Sequence, residues 1–364
     1  MVAVLIDWIQ KDVFIADHDG VILFQAFCWG RYIGHLDVVF NPDGKIESWK
    51  GEPILVEHSI PGDPRLLGKI DGWRGEFEEW GKTVVGVATD VFVQGNCKQR
   101  ECSMGNMVAD AMLGMARTQS QTRKGDSSNP YPDLAFINSG GIRSGLPVGY
   151  VTVEMIMTTS PFGNRMVQTL MEGKEILTML EAIAVGHYEG SPKPVTSNVQ
   201  ISGMRYSFDS SRPAGKQRLI KAEVQVGQGW QLIDPTKLYW AVTLDFVLKG
   251  GDNILVPRGG RIEIPMEQLD RVLIDYIKIK STISPYLDGR VKNVAAADMD
   301  MHCETPALWP PSTPEHIKSQ YPGGFEEMLQ DYERLRNTNL DVQEDELEET
   351  SVFESRDTQQ DVLG

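Results

Sequence analysis

The feature that most constrains this chain is an apolar run that breaks into two glycines and an arginine. Residues 134–137 (Leu-Ala-Phe-Ile) predict a buried strand, and residues 138–143 (Asn-Ser-Gly-Gly-Ile-Arg) follow it directly. The glycines let the backbone approach a ligand closely, and Arg143 adds a permanent cation beside the bend. A lone Gly-Gly pair is more often an ordinary tight turn. The motif therefore predicts an anion-binding turn only where other stretches complement it.

Two further stretches place a phenylalanine beside a glycine-containing turn. Ser-Pro-Phe-Gly-Asn carries Phe162, and Phe-Val-Leu-Lys-Gly-Gly-Asp carries Phe246 and Asp252. Two aromatic faces from separate loops can clamp a flat heterocycle, because stacking a base on an aromatic side chain contributes about 1–3 kcal/mol. A nearby carboxylate can accept hydrogen bonds from the hydroxyls of a ribose. Each phenylalanine alone is more typical of a core. Together with the asparagine and arginine of the first motif, they form a nucleoside-sized set.

Four motifs follow one another along the chain in an order that resembles a known family. They are Cys-Ser-Met-Gly-Asn at 102–106, Asn-Ser-Gly-Gly-Ile-Arg at 138–143, Pro-Phe-Gly-Asn at 161–164 and Phe-Val-Leu-Lys-Gly-Gly-Asp at 246–252. This order resembles the C-terminal, substrate-binding domain of the 5'-nucleotidase family, which includes animal ecto-5'-nucleotidases and bacterial UDP-sugar hydrolases. The resemblance runs from about residue 21 to about residue 292. It implies an α/β (α+β) chain with a layered α/β/β/α C-terminal domain.

The resemblance also implies a role for individual side chains. The residues that it assigns to substrate binding are Asn138, Arg143, Phe162, Phe246, Asp252, Lys98, Arg100 and Asn164. The two phenyl rings would stack on the base beside Asn138, and Asp252 would bind the ribose. The three cationic side chains would face the phosphate. The family usually has an arginine at the position of Lys98, so this chain has a point charge in place of a bidentate fork.

A predicted helix at residues 103–116 follows two of these cations. Its methionines share one face, which is typical of a core. Lys98 and Arg100 lie just before it, where a phosphate could meet both cations and the helix N-terminus. Cys97 and Cys102 are spaced to close a small loop or to remain two free thiols. The resemblance implies a disulfide between them, although four cysteines in all are too few for a disulfide framework.

The first part of the chain is predicted to be β-rich and to end in a linker. Residues 1–61 contain short strands and the hairpin turn Asn-Pro-Asp-Gly at 41–44. The resemblance implies that they are the C-terminal remnant of a metallophosphatase domain. Residues 62–83 repeat apolar side chains with a helical period, with Asp63 as the N-cap and Pro64 at the first position. We predict a linker helix there.

The remaining residues divide into a mixed domain and an acidic tail. Strands and helices alternate through residues 84–294, with one strand expected over residues 201–208, which predicts α/β layers and the substrate-binding domain. Residues 295–364 hold 17 acidic residues against 4 basic ones, which accounts for −13 of the net charge of −16. We expect this Pro-containing tail to be largely disordered. The rest of the chain lacks a basic face, so we expect no polymeric nucleic acid as a partner. No apolar run approaches the roughly 20 residues of a membrane span.

The sequence does not show the metal-binding motifs that the resemblance would require for hydrolysis. The family uses two divalent cations of the zinc or manganese type, bound by Asp, His and Asn motifs upstream of where this chain begins. The histidines here are dispersed, and none lies at ligand spacing with another; they are His18, His35, His58, His187, His302 and His316. We therefore expect no metal, cofactor or catalytic residue in this chain, which alone would bind but not hydrolyse.

Two functions remain open from the sequence. In the first, the chain is the nucleotide-binding half of a 5'-nucleotidase-like phosphohydrolase and binds a nucleoside monophosphate or nucleoside. In the second, it is a non-catalytic nucleoside-binding or interaction module whose acidic tail recruits a partner. The resemblance allows a homodimer through the C-terminal domain, since some relatives dimerise there. It leaves the compartment open, because family members are often extracellular or periplasmic but no signal peptide or lipid-anchor signal is found.

Overall fold

The structure, a computed structural model, describes most of the chain up to the acidic tail. The described residues are 14–18, 21–25, 32–57, 59–122, 130–213 and 215–296. The chain divides into two compact units, Met1–Phe77 and Glu78–Gly364. From residue 297 onward, the predicted tail lies outside the described residues, as do His302 and His316.

The described residues of the first unit form two antiparallel strand pairs. They pair β1 (Phe14–His18) with β2 (Val21–Gln25), and β3 (Tyr32–Phe40) with β4 (Ile46–Leu55). The second hairpin confirms the predicted Asn-Pro-Asp-Gly turn. Asn41 Oδ1 accepts hydrogen bonds from the backbone N–H groups of Asp43 (3.0 Å) and Lys45 (2.9 Å). Gly44 has a φ of +75°, a value that glycine adopts without steric cost.

Helix α1 covers Pro64–Lys82 and begins where the sequence predicts. Asp63 Oδ1 accepts hydrogen bonds from the backbone N–H groups of Arg65 (2.8 Å) and Leu66 (3.3 Å), which is the N-cap arrangement. These bonds, that of Arg65 above all, lower the pKa of Asp63. The apolar positions of the helical pattern are exposed side chains; they are Leu66, Leu67, Ile70, Trp73, Phe77 and Trp80.

The second unit contains the remaining elements. Its strands are β5 (Val84–Ala88), β6 (Leu134–Asn138), β7 (Gly149–Thr152), β8 (Arg165–Glu172), β9 (Val199–Ser202), β10 (Met204–Phe208), β11 (Leu219–Val226), β12 (Gly229–Leu232), β13 (Leu238–Leu244), β14 (Glu263–Gln268), β15 (Thr282–Ile283) and β16 (Val291–Asn293). Its helices are α2 (Ser103–Thr122), α3 (Val153–Thr159), α4 (Gly173–Val185), α5 (Asp245–Leu248) and α6 (Leu269–Lys280). Short 3-10 turns cover Ser139–Gly141, Gly251–Asn253 and Val294–Ala296.

These strands form three sheets, of which one has five strands in the order β14-β8-β13-β6-β9. Within it, β6 runs parallel to β13, and β8 and β9 run antiparallel to their neighbours. The other two sheets have the orders β12-β11-β10-β16 and β15-β5-β7. Helix α2 packs on β6, β9 and α6, and α4 packs on β8 and β11. The chain therefore has the mixed α/β class that the sequence predicts.

The core of the second unit lies between α2 and the five-stranded sheet. Strand β6 is buried along its whole length, as its apolar run predicts. The α2 methionines Met104, Met107 and Met112 are buried too, so their core role is confirmed. A continuous apolar cluster of this size is the main source of stability for a domain of this length, because burial of apolar surface drives folding.

Two predicted elements have different bounds in the structure. The predicted strand over residues 201–208 is two strands, because Gly203 between them has a φ of +72° and a Cβ there would lie 2.5 Å from the Asp133 carbonyl oxygen. Helix α2 continues past the predicted residue 116 through a polar segment. The hydroxyls of Thr118 and Ser120 bond back to carbonyls one turn earlier, each at 3.0 Å. Local bonds of this kind satisfy polar side chains that otherwise favour a loop.

Candidate functional site

The sheet register brings the sequence motifs to one end of the five-stranded sheet. Val242 of β13 pairs with Ala135 of the parallel strand β6, and Leu244 of β13 pairs with Met166 of the antiparallel strand β8. The carboxyl ends of β6 and β13 therefore meet the amino end of β8. The Gly-Gly turn follows β6, the second Phe motif follows β13, and the first Phe motif precedes β8.

The Gly-Gly turn is fixed by bonds to segments far away in sequence. The Gly140 N–H donates to Ser197 Oγ (3.0 Å), and the Arg143 N–H donates to the Thr159 carbonyl (2.9 Å). A Cβ at Gly140 would lie 3.1 Å from Asp252 Oδ2, and one at the next glycine would lie 3.0 Å from Asn138 Oδ1. The two glycines are thus needed for the close approach of two polar side chains to the turn.

Asp252 is held in one orientation at this turn. Asn138 Nδ2 donates to Asp252 Oδ2 (2.7 Å), and Thr196 Oγ1 donates to Asp252 Oδ1 (3.3 Å). Asp252 and Asn253 both have a φ of +54°, a left-handed conformation that these two residue types tolerate better than most. Asn253 Nδ2 closes the bend by donating to the Pro194 carbonyl (2.7 Å). The carboxylate is therefore preorganised before any ligand arrives.

Asn138, which is expected beside a base, lies against Asp252 in the structure. Its side chain is buried, at 3% exposure, and one of its two amide N–H donors goes to Asp252. Its Oδ1 has no hydrogen-bond partner among the described residues. In this arrangement Asn138 orients the carboxylate that the resemblance assigns to the ribose.

Two cations lie beside this carboxylate. The Arg143 guanidinium carbon lies 5.9 Å from the centroid of the Phe162 ring, and Arg143 Nη1 donates to the Gly140 carbonyl (3.3 Å). Partial burial, followed by the like charge of Arg143, lowers the pKa of Lys98, whereas Asp252 acts in the opposite direction. Lys98, Arg143 and Asp252 are therefore electrostatic neighbours. Within the described part of the chain, no hydrogen bond or ion pair joins the Arg100 side chain to them.

The two phenyl rings are tied to the same sheet end. Phe162 is 57% exposed and Phe246 is 39% exposed, so both rings present part of their surface to solvent. Asp245 Oδ1 accepts from the N–H groups of Arg165 (3.2 Å) and Phe246 (2.9 Å), so it links the loop that carries one ring to the helix that carries the other. A Cβ at Gly251 would lie 2.3 Å from the Phe246 ring, which therefore rests on the glycine turn.

Asn164 completes the first Phe motif through its backbone. Its carbonyl accepts a hydrogen bond from the Leu269 N–H (3.0 Å) and so joins the loop to the start of α6. The side chain is half-buried. We call the set Lys98, Asn138, Arg143, Phe162, Phe246 and Asp252 the sheet-end cluster.

The loop before α2 is closed by a disulfide. Cys97 and Cys102 are bonded, with their Cα atoms 5.0 Å apart. Backbone N–H groups at the N-terminus of α2, where the sequence predicts a phosphate, already have protein partners. The N–H of Met104 donates to the Val93 carbonyl (3.2 Å), and the N–H of Asn106 donates to the Cys102 carbonyl (2.9 Å). These positions are buried, so the N–H groups are not available to an anion.

Several residues that contact the site lie outside the sequence motifs. Thr196 and Ser197 lie in an irregular segment and reach the site only because β9 pairs with β6. Asp245 is the first residue of α5 and accepts a hydrogen bond from the Phe246 N–H, and an acidic residue in the first turn of a helix is a signal that the sequence offers. Gln200 is a polar residue within a buried strand, which is an unusual pattern.

The described residues do not fit the metal centre that the family implies. They contain no group of three or more His, Cys, Asp or Glu side chains placed to hold a metal ion. His35 has one carboxylate neighbour, Asp37, at 3.7 Å. Among the described helices, none is both long enough and apolar enough to cross a membrane.

Comparison with known proteins agrees with this architecture. The family model described as 5'-nucleotidase, C-terminal domain, matches residues 84–257. A 5'-nucleotidase-related protein of Glossina morsitans morsitans is 28% identical over 276 residues, 74% of this chain and 49% of that protein. A 5'-nucleotidase of Diplobatis ommata is 28% identical over 292 residues, 76% of this chain and 48% of that protein. The crystal structure of a 5'-nucleotidase precursor from Thermus thermophilus has a TM-score of 0.62 at 28% identity, covering 77% of this chain and 54% of that one.

The mixed α/β fold, with its cluster at one sheet end, is that of a C-terminal domain of the 5'-nucleotidase type. Over residues 84–257 the chain is similar to the C-terminal domain of the 5'-nucleotidase family. It spans about half the length of the curated relatives it matches. The resemblance drawn from the four motifs is confirmed, and the alternative of a non-catalytic nucleoside-binding or interaction module with an acidic partner-binding tail is not favoured.

Proposed function

We propose that the sheet-end cluster binds a nucleoside 5'-monophosphate, with its base between the rings of Phe162 and Phe246. The observation that carries this proposal is the convergence of two exposed rings, a preorganised carboxylate and two cations on one sheet end. Exposed phenyl rings cost solvation unless a ligand covers them. Stacking a base on such rings contributes about 1–3 kcal/mol per base.

The ribose is the part of the ligand that suits Asp252. An ionised carboxylate offers about four acceptor positions. Asn138 and Thr196 occupy two of them with their hydrogen bonds to Oδ2 and Oδ1. The remaining acceptor capacity matches the two hydroxyls of a ribose. Because the carboxylate is already oriented, little conformational entropy is lost when the sugar binds.

The phosphate is the part of the ligand that suits Arg143 and Lys98. A guanidinium has five N–H donors, and Arg143 gives one of them to the Gly140 carbonyl. Its fork can therefore still bind phosphate oxygens with two parallel bonds. Lys98 adds a second positive charge on the same side. We leave Arg100 and Asn164 outside the direct contacts and assign them to the surrounding loops.

We also propose that phosphoester hydrolysis, which the names of the relatives suggest, needs metal ions held outside the described residues. Two divalent cations of the zinc or manganese type would supply the activated water and the charge neutralisation. The side chains described here do not fit such a site. Their part is to bind the nucleotide and fix its orientation.

Isothermal titration calorimetry with AMP and adenosine tests the binding proposal. We expect both to bind, with AMP tighter, and we expect Phe246→Ala to weaken both by about tenfold through lost stacking. Tyr131→Ala is the matched control, because Tyr131 is also an exposed aromatic residue, 51% exposed, but lies before the opposite end of β6. Absence of heat with either ligand at millimolar concentration would overturn the proposal.

A further inference from the structure

The loop that carries Lys98 is held by one buried side chain of the neighbouring strand. Gln200 lies in β9, where it pairs with Ile137 of β6, and its side chain is fully buried. Gln200 therefore lies next to the Gly-Gly turn, because β6 leads directly into that turn. A buried glutamine needs hydrogen-bond partners for both its amide oxygen and its amide nitrogen. The fold must therefore place those partners beside it.

The partners of Gln200 are backbone atoms on either side of Lys98. Gln200 Nε2 donates to the carbonyls of Cys97 (2.8 Å) and Arg100 (2.9 Å). Gln200 Oε1 accepts from the N–H of Cys102 (3.3 Å). One amide thereby fixes three backbone groups of the disulfide loop, at both of its cysteines and between them.

The same amide also connects this loop to the turn at the end of β6. Gln200 Nε2 lies 3.4 Å from Ser139 Oγ, the residue that begins the turn. Helix α2 comes close as well, because a Cβ at Gly105 would lie 2.3 Å from the Gln200 side chain. Gln200 therefore stands between the segment that supplies Lys98 and the segment that supplies Arg143.

We propose that Gln200 is a positioning residue for phosphate recognition, which holds the Lys98 loop at the distance from Arg143 that lets both cations meet one phosphate. This inference rests on the proposed nucleotide site and deepens it. The disulfide alone fixes the loop ends relative to each other, but it does not fix the loop relative to the sheet. Gln200 supplies that second constraint, and it touches neither the rings nor Asp252.

If Gln200 positions the Lys98 loop, its replacement should weaken AMP binding more than adenosine binding. A merely structural role would not produce this difference. Gln200→Met keeps the length of the side chain and removes all of its hydrogen bonds. We expect AMP affinity to fall by about tenfold, the size of one lost charge-assisted contact, and adenosine affinity to change less than about twofold. Gln168→Met is the matched control, since Gln168 is a second fully buried glutamine of the same sheet that contacts the Pro130 carbonyl instead.

A double-mutant cycle with Lys98→Ala completes the experiment. If Gln200 acts through Lys98, the AMP affinity of Lys98→Ala will not fall further when Gln200→Met is added. Gly105→Ala is a second variant that displaces the Gln200 side chain from the side of α2 without altering its amide, and we expect the same selective loss. Equal losses for AMP and adenosine, or unchanged AMP affinity in a folded variant, would overturn the inference. Absence of AMP and adenosine binding by the unmutated chain would overturn the proposed function itself.

Discussion

The role of the Lys98 charge can be tested by changing the pH. Its pKa is lowered from 10.5, first by partial burial and second by the like charge of Arg143. Only the ammonium form attracts a phosphate, so we expect AMP affinity to fall as pH rises through this lowered pKa. The phosphate itself stays doubly ionised above its second pKa of about 6. Titration calorimetry over the alkaline range should show the loss for AMP and a flat profile for adenosine.

Lys98→Arg is the control for this pH dependence. A guanidinium remains charged throughout the accessible range and restores the fork that the family usually has at this position. We expect a flat AMP profile together with equal or tighter binding at neutral pH. An unmutated chain whose AMP affinity stays constant up to the ordinary lysine pKa would show that Lys98 does not meet the phosphate.

Gly251 has no side chain, and this leaves space for the Phe246 ring. A Cβ there would lie 2.3 Å from the Phe246 ring, so Gly251→Ala must push the ring out of its position. We expect AMP and adenosine affinity to fall by about tenfold, the loss of one stacking face. Gly259→Ala is the control in a nearby loop, because nothing lies within 4 Å of a Cβ at that position. Unchanged affinity in Gly251→Ala would exclude a stacking role for this ring.

An ion-pair network around a buried arginine joins several elements of the second unit. Arg290, just before β16, is 8% exposed and pairs with Asp110 of α2 (2.7 Å) and with Asp288 (2.8 Å). It also donates to the Ile201 carbonyl of β9 (2.8 Å). These contacts raise the pKa of Arg290 although burial opposes them, so the cation is retained at any physiological pH. The network anchors the last strand to a helix and to the sheet.

Removing the central cation of this network should destabilise the fold. We expect Arg290→Met to lower the free energy of unfolding by about 1–3 kcal/mol, because the half-buried Asp110 would lose its ion pair and keep only the hydrogen bond from the Tyr286 hydroxyl. Arg271→Met is the control, since Arg271 is 61% exposed and 4.0 Å from Asp275, and exposed pairs contribute less than about 1 kcal/mol. Urea unfolding followed by circular dichroism measures both. A loss in Arg290→Met no larger than that of the control would contradict the anchoring role.

For the whole molecule, the sequence predicts which motifs matter better than it predicts what each side chain touches. The Gly-Gly turn and both Phe motifs sit at strand ends, and a short apolar run predicts such an end from local pattern alone. The bond from Asn138 to Asp252 joins residues 114 apart, and that from Gln200 to Cys97 joins residues 103 apart. Such contacts depend on strand order, which local patterns do not encode.

The division into two units predicts that the second unit binds AMP and adenosine without the first unit. Every member of the sheet-end cluster and the Gln200 constraint lie within residues 78–296, as does the described apolar core. We therefore expect a fragment of residues 78–296 to unfold cooperatively in urea and to bind AMP and adenosine within about twofold of the full chain. Calorimetry on both proteins makes the comparison, and the Phe246→Ala fragment serves as its control. A folded fragment with much weaker binding would show that residues outside 78–296 contribute to the site.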